Sequence, residues 1–128
     1  MTAERLGGRT ILIAEDEALV AMDLVDMVEM EGAAVVGPCV TVEACLAASD
    51  DGELPDAAIL DVRLGQKEIF GVAEQLRSKG VPIVFHSGHM GIEELNERFP
   101  EAAFCSKPTT PEDLISALED VIRGRRAA

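Results

Sequence analysis

Several common routes to function are closed by what this sequence lacks. Cysteine is scarce: Cys39, Cys45 and Cys105 are odd in number and none stands in CxxC spacing. They read as reduced, mostly buried thiols and not as a disulfide framework. Basic charge is short as well. Eleven Lys and Arg face 24 Asp and Glu, and a net charge of −13 argues against nucleic acid or an anionic membrane as the main partner. No stretch has the unbroken apolar length of a membrane span, and the N-terminus has no signal-peptide core. The glycines form neither GxGxxG nor a Walker A loop, which leaves nucleotide binding without support. There is no internal repeat, linker or low-complexity segment. What remains is a chain of 128 residues that is 48% apolar, enough to bury a core as one globular unit. The expectation is a soluble, cytoplasmic protein.

What is present is an alternation of short apolar runs and amphipathic stretches. Residues 1–8 read as a loose lead-in. Thr10–Ala14 is a first buried strand. A helix follows over Glu17–Glu31, with Ala21, Leu24 and Val28 at i, i+3 and i+7. Ala34–Gly37 is a second strand, limited by Pro38. Thr41 can cap a helix over Val42–Ser49. Ala57–Asp61 is the central strand, apolar throughout until its last residue. Leu64–Lys67 reads as a loop before a helix over Glu68–Ser78. Val81–Phe85 is a fourth strand, and Gly91–Arg98 a short helix. Ala102–Cys105 is a fifth strand. The last helix opens on Thr110-Pro111-Glu112-Asp113, a cap, a proline in the first turn and two acids. Met22, Met27 and Met30 read as core and helix surface. Five strand–helix pairs in strict alternation predict a parallel sheet with helices on both faces and right-handed crossovers.

Four of the five strands end on chemically capable residues: Glu15-Asp16, Asp61, Ser87 and Lys107. An open α/β sheet gathers such ends at one rim, where ligands bind. Taken singly, an acidic pair can cap a helix, and a serine or lysine can be an ordinary turn residue. Asp61 is harder to dismiss, because a carboxylate ending a buried strand costs desolvation unless it is paired. Three carboxylates at close quarters raise one another's pKa and make a site for a divalent cation. Oxygen-only donors favour Mg²⁺, with Mn²⁺ possible, and Mg²⁺ favours phosphate oxygens. A lysine, a serine and Gly88, whose backbone N–H can approach closely, complete a cage for a phosphoryl group. The chemistry that fits is a carboxylate nucleophile forming an aspartyl-phosphate.

On these residues the chain resembles the receiver domain of two-component response regulators. The matching motifs are Ile11-Leu12-Ile13-Ala14-Glu15-Asp16-Glu17, Ile59-Leu60-Asp61-Val62, Val84-Phe85-His86-Ser87-Gly88 and Lys107-Pro108, spread over residues 9–124. The resemblance implies a flavodoxin-like, doubly wound five-stranded parallel sheet of order 2-1-3-4-5 with five helices. It implies one receiver domain over 1–128, with 125–128 as a tail. Asp61 would be the phosphoacceptor, and Glu15, Asp16, Asp61 and the Arg63 backbone carbonyl would hold Mg²⁺, Glu15 through water. Ser87 and Lys107 would bind phosphoryl oxygens, and Phe104 would be an aromatic switch coupled to Ser87. Arg63 and His89 would tune dephosphorylation, and Lys107–Pro108 is a candidate cis peptide.

The implied donor is a histidine kinase or a phosphotransfer protein, and the implied output is a downstream protein partner or a phosphate sink. Such a domain gains and loses its own phosphoryl group and is not a turnover enzyme. The Leu64-Gly65 loop lacks the proline common in the family and resembles a stand-alone subset associated with HWE-type kinases. Two other readings remain. A small Mg²⁺-dependent phosphohydrolase would want a second acid two residues after Asp61, where this chain has Arg63. A pseudo-receiver scaffold would not need the full set of site residues.

Overall fold

In the computed structural model the described residues are 4–50, 52–88 and 92–124, the side chains of residues 50 and 92 excepted. Among these residues, seven strands and five helices follow one another as β1 (Thr10–Ala14), α1 (Ala18–Glu29), β2 (Ala34–Cys39), α2 (Val42–Asp50), β3 (Ala57–Asp61), β4 (Arg63–Leu64), β5 (Lys67–Glu68), α3 (Phe70–Ser78), β6 (Ile83–Ser87), α4 (Ile92–Arg98), β7 (Ala103–Ser106) and α5 (Pro111–Ile122). Five of the strands form one sheet in the order β2-β1-β3-β6-β7, with every pairing parallel. Leaving out the two-residue strands β4 and β5, this is the expected 2-1-3-4-5 order and the flavodoxin-like receiver fold. Among the described residues, no helix is long and apolar enough to cross a membrane.

The apolar runs dictate the layers. A strand alternates its side chains between two faces, so a run that is apolar at every position must be covered on both. In β3 every residue is buried. Ile13, Ile59 and Val84 pack under α1 and α5 with Leu24, Val28, Leu114 and Leu118. Leu12, Leu60 and Phe85 pack on the other face with Val72 and Leu76 of α3, and Leu95 of α4 joins them. The capping signals also hold: Thr41 Oγ1 accepts the Ala44 N–H at 3.0 Å, and Thr110 Oγ1 accepts the Asp113 N–H at 3.1 Å. The three cysteines are buried and free, and Met22 and Met30 are exposed.

Three local expectations are corrected. The 64–67 loop is a hairpin: Leu64 pairs with Lys67 and Arg63 with Glu68. A two-residue turn of this kind needs a positive φ at its first central position, and Gly65 supplies it at +61°. Helix α3 accordingly starts at Phe70 and not at Glu68. The second strand does not stop at Gly37 but runs on to Cys39, with a register shift against β1 between Leu12 and Ala14. Pro38 is tolerated because β2 is an edge strand. Gly37 is required there, since a Cβ would stand 2.7 Å from the Ile13 carbonyl oxygen. Both the Gly37–Pro38 and Lys107–Pro108 peptides are cis.

The third correction concerns the lead-in. Residues 4–8 are docked, not loose. Leu6 is 1% exposed, and its N–H donates to the Glu31 carbonyl at 2.8 Å. Arg5 bonds Glu112 at 2.8 Å and Glu119 at 2.5 Å, tying the segment to α5. A single apolar residue in a polar stretch gives no periodic signal, which is why the docking escapes a reading by pattern. Leu6→Ala should lower unfolding stability by about 2–4 kcal/mol in urea titration, the range for a buried leucine. A loss below about 0.5 kcal/mol, typical of a surface site, would contradict the docking.

Candidate functional site

The sheet register builds the site as a row. Ala14 pairs with Leu60, Asp61 with His86 and His86 with Cys105. Two residues earlier on these strands, Ile13, Ile59, Val84 and Ala103 share the core beneath α1 and α5. The period of two therefore sets Asp61, His86 and Cys105, from three neighbouring strands, on that same face together with Glu15, the residue just past β1. Lys107 follows two residues after Cys105, and its N–H donates to the Ser87 carbonyl at 2.8 Å. Beyond the strand ends lies a cavity of about 520 Å³ lined by Asp16, Asp61, Arg63, Ser87 and Gly88, with Glu17, Glu68, Phe70 and Glu94 around it.

Lys107 is the hub. Its Nζ lies 2.9 Å from Asp61 Oδ2, 3.0 Å from Glu15 Oε1 and 3.2 Å from Glu17 Oε1. Glu15 is fully buried and Asp61 is 8% exposed, so each needs a compensating partner. Burial pushes the Glu15 carboxyl above its ordinary pKa, against the opposing pull of the Glu17 N–H and Lys107. Burial also works against the Lys107 ammonium, but its hydrogen bond to Asp61 and its ion pair with Glu15 outweigh that and hold its pKa above the usual lysine value.

Backbone groups fix the carboxylates. The Arg63 N–H donates to Asp61 Oδ1 at 3.3 Å, the Glu17 N–H to Glu15 Oε2 at 3.1 Å and the Gly65 N–H to Asp16 Oδ2 at 2.8 Å. One oxygen each from Glu15, Asp16 and Asp61 lies within 4.8 Å of the others. This all-oxygen set fits a hard divalent cation such as Mg²⁺ or Mn²⁺.

Of the residues named from sequence, Glu15, Asp16, Asp61, Arg63, Ser87 and Lys107 converge on this rim. Phe104 does not line the cavity. It is partly buried on the edge strand β7 and stacks on Phe85 with ring centroids 5.6 Å apart. His89 lies outside the described residues. Three contributors were missed. Glu17 shares Lys107, Gly65 holds Asp16 through the hairpin, and His86 faces Glu15 with Nδ1 3.9 Å from Oε1. The acidic run Glu15-Asp16-Glu17 carried a signal for the first. The other two depend on turn geometry and register, which no local pattern encodes.

A family model described as the response regulator receiver domain matches residues 11–119. The chain belongs to that family. The receiver chain is 32% identical over 114 residues to the transcriptional regulatory protein PdtaR of Mycobacterium tuberculosis, an alignment covering 87% of this chain and 55% of that protein. It spans about half the length of the curated relatives it matches. Among solved structures, a response regulator receiver protein from Sinorhizobium medicae superposes with TM-score 0.82 at 28% identity, over 91% of this chain and 96% of the other. The BeF3-activated conformation of SdrG from Pseudomonas melonis is 37% identical with TM-score 0.72, over 95% and 99% of the two chains.

The charge arrangement makes a prediction of its own. Without a divalent cation, Lys107→Met leaves a cluster of carboxylates facing one another and should cost about 1–2 kcal/mol in urea titration, a figure reduced because Lys107 is partly solvated. Excess Mg²⁺ should restore much of that loss by binding the folded state only. An unchanged midpoint in both conditions would contradict the role assigned to Lys107.

Proposed function

We propose that this chain is a phosphoryl-accepting response regulator in which Asp61 takes a phosphoryl group from a histidine kinase or a phosphotransfer protein. The observation that carries the reading is the bond from Lys107 Nζ to Asp61 Oδ2 at 2.9 Å, made at the mouth of the cavity beside Ser87. Asp61 is the nucleophile. Its carboxylate oxygen attacks phosphorus as the donor's P–N bond breaks, and the donor histidine nitrogen leaves with the electron pair. The Lys107 ammonium turns from the carboxylates to one phosphoryl oxygen. The Ser87 hydroxyl and the Gly88 backbone N–H serve the others.

Glu15, Asp16, Asp61 and the Arg63 backbone carbonyl are the groups that would hold Mg²⁺, with Glu15 acting through water. When bound, that cation neutralises charge on the transferring phosphoryl group. Arg63, at the rim, tunes how readily water reaches the acyl phosphate, and His89 is proposed for the same role. Phosphorylation biases Ser87 and Phe104 between two arrangements, and this changes the surface of α4, β7 and α5. Output is by a protein partner recognising that surface or by drainage of phosphate from a kinase. The Leu64-Gly65 hairpin supports a receiver domain of the HWE-kinase-associated kind, acting as a signalling domain and not as a turnover enzyme.

Incubation with acetyl phosphate and Mg²⁺, followed by intact-mass spectrometry, tests the reading. One phosphoryl adduct is expected on the native chain and none on Asp61→Asn or in a magnesium-free control. An adduct of equal yield on Asp61→Asn would overturn the assignment. Turnover of the donor without an adduct would favour a hydrolase.

A further inference from the structure

One buried pair in the site is left unfinished. His86 is 2% exposed, and neither ring nitrogen has a hydrogen-bond partner among the described residues. Glu15 Oε1, fully buried, also lacks a hydrogen bond among the described residues. These two orphaned groups face each other at 3.9 Å. Lys107 is within ion-pair distance of that oxygen at 3.0 Å but off the hydrogen-bonding angle, so it neutralises the carboxylate without satisfying it. A buried polar group with no partner is costly, and an apolar side chain at position 86 would pack between Asp61 and Cys105 without that cost. A histidine here calls for a state in which its N–H is used.

We propose that His86 is a positioning residue of the site, whose Nδ1–H takes over the Glu15 carboxylate when Lys107 turns to the phosphoryl group. The inference rests on the phosphoryl-accepting reading above. In the structure described, Lys107 holds Glu15, Glu17 and Asp61 together. Once its ammonium pairs with a phosphoryl oxygen, Glu15 Oε1 loses the ion-pair partner it has here. Asp61 then carries the phosphoryl group as an acyl phosphate, and the Glu17 N–H already serves the other Glu15 oxygen. His86 is the group at hand. Closing 3.9 Å to an ordinary N–H···O distance takes a shift of about 1 Å. An imidazole carries at least one ring N–H in either protonation state, and its Nδ1 is the ring atom that faces the Glu15 oxygen. No proton changes owner: the ring donates a hydrogen bond and keeps its proton. The exchange keeps Glu15 ionised and aimed at the cation site through both states.

The test is nitrogen-15 NMR of the imidazole in the native chain, with and without beryllofluoride and Mg²⁺ as the phosphoryl mimic, the form in which the SdrG relative is described as activated. With beryllofluoride bound, His86 Nδ1 should read as a protonated nitrogen with a downfield, exchange-protected proton that is absent from the free chain. Affinity for beryllofluoride should fall roughly tenfold or more in His86→Phe, as expected for a lost hydrogen bond to a charged group, and should be largely recovered in His86→Asn. An unprotonated Nδ1 in the bound state, or equal losses in both variants, overturns the proposal. If shifts at the Asp61 and Ser87 amides accompany an unprotonated Nδ1, the His86 inference falls alone. If beryllofluoride shifts neither amide, the phosphoryl-accepting reading falls with it.

Discussion

The architecture of the site depends on one ammonium ion among carboxylates. Glu15 and Asp61 end strands so apolar that they carry their charges into the protein with them. Ionised carboxylates at that depth are tolerated only with a partner. Lys107 is that partner, and its reach is set by β7, which delivers it beside Ser87 with its N–H on the Ser87 carbonyl. The same constraint underlies the chemistry proposed for the site. A rim that needs positive charge to exist is one to which a cation adds, and one whose lysine can be redirected to an incoming anion. Stability and reactivity thus share the same few contacts.

The sheet makes this possible by register more than by sequence proximity. Residues 15, 61 and 86 lie just past β1, at the end of β3 and in β6, separated in sequence by α1, β2, α2, β4, β5 and α3, yet parallel pairing lines up their strands as one rung. The hairpin β4–β5 extends the rim outward. Its turn amide holds Asp16, while Lys67 at its far strand pairs with Glu43 of α2. The loop after β3 is therefore braced at both ends, to the site and to the helix layer. On the other side of the rim, Arg98 at the end of α4 lies over the ring of Phe70, with its guanidinium carbon 4.4 Å from the centroid, so the two helices flanking the cavity are joined through a residue that lines it.

Much of this was legible in the chain. The apolar runs of β1, β3 and β6 announce a doubly covered parallel sheet, because only full burial on both faces explains Ile11–Ala14 or Ala57–Leu60. The rule that ligands sit at the carboxyl ends then names Asp16, Asp61, Ser87 and Lys107 without further help. What escaped is what pattern cannot carry. Two-residue strands such as Arg63–Leu64 are too short to show a period. Leu6 is one apolar side chain with no repeat around it. His86 sits in a run that reads as strand interior, and its partnership with Glu15 exists only once four strands are in register. The continuation of β2 past Gly37 depends on its being an edge, which is a property of the assembled sheet.

The central claim is that the Asp61 carboxylate becomes an acyl phosphate, and the most direct measurement is chemical trapping at that residue. Borohydride reduces an acyl phosphate but not a carboxylate, which converts the phosphorylated aspartate to homoserine, and tandem mass spectrometry of the peptide locates it. After exposure to a phosphohistidine donor and Mg²⁺, homoserine should appear at position 61 and at no other acidic residue. Homoserine at a different carboxylate, or a phosphate that survives borohydride on a hydroxyl such as Ser87, would contradict the account.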